Sequence, residues 1–144
     1  MIGPLLDALR HCRRRKTWEP AHAAGRHGED LAHRYLRKQG FIIVARNYRL
    51  PSGDGEADLI AWDGPTLVFV EVKSRESAAY GPPERAMNAE KIGHMARVAR
   101  QYARKTGTPW ENIRFDLVSV LLTDPPSIDH LRALRLPESR YSDF

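Results

Sequence analysis

Between Gly25 and Gln39 the apolar positions recur with helical spacing: Leu31, Ala32, Tyr35 and Leu36 fall on one face, and Arg26, Asp30, His33, Arg34, Arg37 and Lys38 on the other. Gly28 interrupts the apolar face, a substitution that weakens a helix but lets its backbone approach a neighbouring strand. Gly40 suits the left-handed cap that ends it. From Phe41 to Leu50 the chain is rich in aliphatic and aromatic residues and reads as a strand. The turn formers of Pro51–Gly55 follow, and Glu56 to Trp62 resumes the extended pattern, so the two runs predict a hairpin. Gly64-Pro65 marks the next turn, into Thr66–Ser74, whose continuous Leu-Val-Phe-Val start predicts a central strand covered on both faces.

A second helix is predicted to start between Pro83 and Glu90 and to reach Thr106, with Ile92, Met95, Ala96, Ala99, Tyr102 and Ala103 as its apolar stripe and Gly107 and Pro109 as its stop. Ile113–Leu122 is the next strand, joined to Thr66–Ser74 through that helix by an expected right-handed parallel crossover. Ile128–Leu136 reads as an edge strand or a helix. The order of helix, three strands, helix and strand, without internal repeats, describes an α/β domain with a mixed central sheet flanked by helices.

At 144 residues and 42% hydrophobic content the chain has the size of one domain. The expected organisation is a basic, flexible tail over 1–24, a domain over 25–136 and a C-terminal tail over 137–144. The tail carries the run Arg10 to Lys16, a solvated charge cluster or a phosphate contact without aromatics for base stacking. Lys and Arg total 23 against 18 Asp and Glu, a formal charge of +5 that favours polyanionic partners. The single cysteine, Cys12, excludes an internal disulfide and a thiolate zinc site. With no apolar run long enough for a bilayer, and with positive charges after rather than before the apolar start, the chain is expected in the cytoplasm, away from membranes.

Alternation along Thr66–Arg75 places Phe69, Glu71, Lys73 and Arg75 on one face and Val68, Val70 and Val72 on the other. Glu56 and Asp58 share a face of the preceding strand, and antiparallel pairing brings Asp58 within reach of Glu71. Two buried carboxylates repel unless a cation lies between them, and oxygen ligation suits Mg²⁺ or Mn²⁺. Such an ion polarises a phosphate and lowers the pKa of an attacking water, while Lys73 orients or activates that water, as an ammonium or as the neutral amine that proximity to a metal favours. The alternative for Asp58, Glu71 and Lys73 is a structural ion-pair cluster across the strands.

An acidic residue on the first helix, Gly55-Glu56-Ala57-Asp58 on the second strand and Glu71-Val72-Lys73 on the third together carry a family likeness. The chain resembles the PD-(D/E)xK nuclease superfamily, in particular the YraN-like family of bacteria related to archaeal Holliday junction resolvases. The likeness runs from about Gly25 to Ala133. It takes in Gly28-Glu29, Ala32, Tyr35-Leu36, Gly40, Asn47, Arg49, Phe69 to Arg75, Lys91 and Arg114-Phe115-Asp116. Ala57 stands where a bulkier aliphatic residue is common, and the literal Pro-Asp pair is absent.

The resemblance implies a restriction-endonuclease-like α-β-β-β-α-β core. It also implies metal ligation by Asp58, Glu71 and the Val72 main-chain carbonyl, Lys73 as the catalytic lysine, and a further acidic contact from Glu29. Glu56 is given a supporting role. Arg75, Lys91, Arg46 and Arg49 are candidate phosphate contacts or solvated surface charges. The expected activity is metal-dependent endonucleolytic hydrolysis of nucleic acid, DNA in the first instance and branched DNA in particular. The alternative is a nucleic-acid-binding or DNA-processing accessory protein that keeps the fold without turnover. Junction-cutting relatives act on two-fold substrates, so a homodimer is expected by analogy. His33, His94 and His130 are assigned to the surface, and Trp18, Trp62 and Trp110 to core or boundary packing.

Overall fold

The computed structural model describes residues 25–77 and 87–134. The expected tails over 1–24 and 137–144 and the candidate helix starts from Pro83 to Ala86 lie outside these residues. The first helix, α1, spans residues 25–38. Strands β1 (Ile42–Arg49), β2 (Glu56–Asp63) and β3 (Thr66–Arg75) follow, then α2 (Ala89–Thr106), a 3₁₀ turn at Trp110–Asn112, β4 (Ile113–Leu121) and β5 (Ser127–Leu131). The strands form one mixed sheet in the order β1-β2-β3-β4-β5. β3 lies at its centre, antiparallel to β2 and parallel to β4. Together the elements make the restriction-endonuclease-like α-β-β-β-α-β core, with β5 added antiparallel to β4 as the edge strand read in Ile128–Leu136.

The apolar start of β3 is covered on both faces, as its unbroken hydrophobic run requires. On one face Ala32 and Leu36 of α1 pack with Val68, Val70 and Val72 of β3 and with Val118 and Val120 of β4. On the other, Met95, Ala96, Val98 and Ala99 of α2 pack with Leu67, Phe69 and Phe115. Val98 joins the predicted α2 stripe, whereas Ile92 and Tyr102 are only half-buried.

Local features set how closely α1 packs and where α2 begins and ends. A Cβ at Gly28 would stand 2.8 Å from the Ser74 Cβ and nearer still to its Oγ, so glycine alone lets the first turn of α1 rest on the C-terminal end of β3. The start of α2 is fixed by Asn88, whose side chain accepts from the Lys91 N–H at 2.9 Å, and its end by Gly107 at φ +71°.

Candidate metal and phosphodiester site

The last antiparallel pair of β2 and β3 toward this end of the sheet is Leu59 with Val70. One step beyond, Asp58 stands opposite Glu71, as the alternation predicts. There the Val72 N–H donates to Asp58 Oδ2 at 2.8 Å, so a side chain replaces the ladder bond where the strands part. The C=O of an extended residue points to the same strand edge as its N–H, which places the Val72 carbonyl on the Asp58 side of β3.

Burial holds the Asp58 carboxyl far above its ordinary range, at about 8, and the neighbouring Glu71 charge adds to the effect against the opposing Val72 N–H. Asp58 therefore keeps its proton at neutral pH, and a hydrogen bond with Glu71 adds to the shift. That is the chemistry of a donor set built around a positive charge: two carboxylates of adjacent strands, close enough to repel, with a main-chain carbonyl beside them. Asp58, Glu71 and the Val72 carbonyl therefore fit a hard divalent cation. Among the described residues no three acidic, histidine or cysteine side chains converge as one ligand group, so the protein side chains offer two ligands here rather than a closed cage.

Lys73 Nζ lies 3.3 Å from Glu71 Oε1, with the two side chains 29% and 14% exposed. Burial pulls the Lys73 pKa down, but the hydrogen bond it donates to Lys91 and the Glu71 and Asp58 charges outweigh it and hold the ammonium above its usual range. Lys91 moves the other way, lowered by burial and then by the adjacent Lys73. With Glu71 beside it, Lys73 is an ammonium in the metal-free protein, while Lys91, which meets another lysine, is shifted toward the neutral amine. Lys91, a candidate phosphate contact or solvated charge, lies against Lys73.

The other candidates are placed less centrally. Glu29 raises the Asp58 pKa through space, yet its carboxylate accepts from Asn47 at 3.1 Å and faces Arg46 at 3.6 Å. It stands beside the pair without joining it. Glu56 binds Arg49 at 3.0 Å across the exposed hairpin end. Arg46 also pairs with Asp30, so both β1 arginines are committed to carboxylates. Arg75 closes β3, its carbonyl accepting from Leu122 N–H at 2.7 Å.

Sequence reasoning missed two features. Asn47 adopts φ +52° and directs its amide at Glu29; an asparagine tolerates that conformation, but nothing in a strand-like run marks it. The second is a buried network on the α1 face of the sheet. Asp116 is wholly buried and is gripped by Arg114 at 2.9 and 3.0 Å, by the Ala133 N–H at 3.1 Å and by His130 Nε2 at 2.8 Å. His130 also meets the Tyr35 hydroxyl at 3.2 Å, and Arg114 reaches Asp63 at 2.9 Å. The surface assignment of His130 is therefore corrected: its side chain is 4% exposed, because β5 turns that face onto α1 and β4. His33 is likewise less exposed than its polar helix face implies. Its Nδ1 is buried without a partner among the described residues, and burial lowers its pKa.

Residues 28–120 match the model of the uncharacterised protein family UPF0102. The chain belongs to this family. A UPF0102 protein of Solibacter usitatus is 52% identical over 132 residues, covering 92% of this chain and 98% of its own. A UPF0102 protein of Nocardia farcinica is 47% identical over 114 residues, 78% and 88% of the two chains. One from Desulfosudis oleivorans is 46% identical over 96 residues, 67% and 76%. The UPF0102 match takes in Glu29, Asp58, Glu71, Lys73, Lys91 and Asp116 and ends before β5. Among the described residues no helix is long and apolar enough to cross a membrane.

Proposed function

We propose that this protein is a divalent-metal-dependent nuclease of the PD-(D/E)xK superfamily, hydrolysing nucleic-acid phosphodiesters at the Asp58–Glu71–Lys73 cluster. The observation that carries the reading is the meeting of Asp58 with Glu71 at the parting of β2 and β3, with an ammonium 3.3 Å from Glu71. Asp58, Glu71 and the Val72 carbonyl are the residues that would hold Mg²⁺ or Mn²⁺. Such an ion supplies Lewis acidity toward the phosphate and a lowered pKa for the attacking water.

The chain's own groups do the rest. The Lys73 ammonium, fixed by Glu71, orients the water and balances charge on the phosphate. Lys91, with its depressed pKa, is the nearer of the two lysines to the state a proton acceptor needs. Glu29, held by Asn47 and Arg46, keeps a negative field on the cation side. The reading carries a DNA substrate, branched DNA first, a homodimer on two-fold junctions, and action in the cytoplasm.

The test is cleavage of labelled duplex, single-stranded and four-way-junction DNA with Mg²⁺ or Mn²⁺. Lys73→Ala is expected to lower the rate at least about a hundredfold, the scale of one acid–base or electrostatic group, and Asp58→Ala to abolish it. Metal-dependent cutting that survives both substitutions rules the site out. One observation favours a second reading, a nucleic-acid-binding accessory protein without turnover: Glu29 is engaged by Asn47 and Arg46, leaving two converging carboxylates. Salt-sensitive binding with no cleavage of any substrate is its signature.

A further inference from the structure

Arg46, Arg49, Arg114 and Arg132 all face acidic partners. On the outer side of α2, Arg97 donates only to the Asp54 carbonyl, while Arg104 and Lys105 make no ion pair among the described residues. Solvent-facing Arg97 and Arg104 stand one above the other on the outer face of the helix, with Lys105 beside them and Glu90 as the one acidic residue of the helix. The stripe ends at a cleft of about 350 Å³ lined by Arg100, Arg104, Thr108, Pro109 and Trp110. Trp110 is 39% exposed, the one large aromatic side chain among the described residues left open to this degree.

We propose that this stripe and cleft dock single-stranded nucleic acid, with a base stacked on Trp110 and its phosphates along Arg104 and Arg97. A base can lie on an indole only when its own stacking partner is gone, which selects unpaired strands over intact duplex. Cations without carboxylate partners are the ones that release counterions on meeting a polyanion. The carbonyl end of α2 opposes an anion, so the phosphate contact falls to the Arg104 guanidinium and not to the helix terminus. From Arg97 to Arg104 the helix rises about 10 Å, some three nucleotides at ~3.4 Å each and fewer in an extended strand. Lys91, at the start of α2, lies against Lys73, so a strand docked at the Trp110 end of the helix and continued along it runs toward the carboxylate pair. That connection rests on the proposed phosphodiester site; base docking on Trp110 does not.

The experiment is fluorescence anisotropy of labelled oligothymidylate, oligouridylate and a DNA duplex with the full-length chain in EDTA, where cleavage is silent. Single strands are expected to bind more tightly than duplex, and the DNA and RNA arms distinguish the two sugars. Trp110→Ala should weaken single-strand binding on the order of tenfold, with Trp110→Phe retaining most of it. Arg104→Gln, on an exposed position that leaves the fold intact, should weaken binding and reduce the slope of log affinity against log salt by about one. Unchanged affinity and salt slope in Arg104→Gln, or unchanged affinity in a folded Trp110→Ala, overturns the proposal, as does a preference for duplex. The two readings fail separately. Cleavage that proceeds with wild-type affinity in both variants removes the docking site alone, and Trp110-dependent binding with no metal-dependent cleavage removes the nuclease alone.

Discussion

The Val72 N–H donates to Asp58 Oδ2 at 2.8 Å, at the point where β2 and β3 cease to pair. A carboxylate has taken the place of a main-chain acceptor. The strands are held together across a gap in which Asp58 faces Glu71, with the Val72 carbonyl on the strand edge that faces Asp58.

That arrangement makes the metal-free fold sensitive to base. Asp58 is raised from 3.8 to about 8 by burial and then by Glu71, so between these values the folded state holds a proton that the unfolded chain has lost. Stability is then greatest below about pH 4 as far as this group is concerned, declines as pH rises through the interval, and levels off above the folded value. Asp58→Asn keeps the acceptor for Val72 and removes the titration. Urea unfolding in EDTA from pH 5 to 9 is expected to show a flatter profile for the variant and a gain on the order of 1–3 kcal/mol over the wild type at pH 8. A parallel decline in both proteins contradicts the assignment.

The position of α1 depends on the missing side chain at residue 28. Gly28→Ala drives a methyl group into Ser74, and the resulting overpacking is expected to destabilise by about 1–3 kcal/mol and to displace Glu29 from the carboxylate pair. Ser74→Gly clears the same space, so the double variant should be less destabilised than the sum of the two single changes. Additivity of the two in denaturant midpoints counts against the contact.

Asp116 is tied to stability rather than to turnover. Its carboxyl is raised by burial, but the His130 and Arg114 hydrogen bonds win, and its pKa lies below 3.8. This stabilisation is present above the unfolded value and lost as pH falls below it. Asp116→Ala leaves Arg114 and His130 without their shared acceptor and is expected to cost about 3–5 kcal/mol, the scale of breaking a buried ion pair. Thermal unfolding with and without the substitution measures it; a loss under about 1 kcal/mol shows that the network relaxes without its centre.

The fold was legible because its elements obey two clear periods. The 3.6-residue pattern of Leu31, Ala32, Tyr35 and Leu36 and the unbroken Leu67–Val70 run each dictate a partner surface, and Gly28 announced the close approach to a strand. The face shared by Glu71 and Lys73, and the pairing of Asp58 with Glu71, followed from alternation alone. What did not follow depends on side chains that cross between elements. Lys91 joins Lys73 because the start of α2 returns to the end of β3, a tertiary fact with no local mark. His130 looked like a surface residue because Ile128–Leu136 reads equally as a strand or a helix, and only its place beside β4 turns the imidazole onto Asp116. Arg46 and Arg49 read as free cations until the hairpin and α1 brought Glu29, Asp30 and Glu56 to them.

The central claim is that Asp58 and Glu71 exist to hold a divalent cation. Calorimetric titration of Mn²⁺ into the full-length protein, in two buffers of different ionisation enthalpy at pH 7 and pH 8, tests it most directly. One ion per chain is expected, with tighter binding at pH 8 than at pH 7, release of close to one proton at pH 7 as Asp58 gives up its proton, and loss of binding in Asp58→Asn. Absence of binding to the wild type, or equal binding by Asp58→Asn, contradicts it.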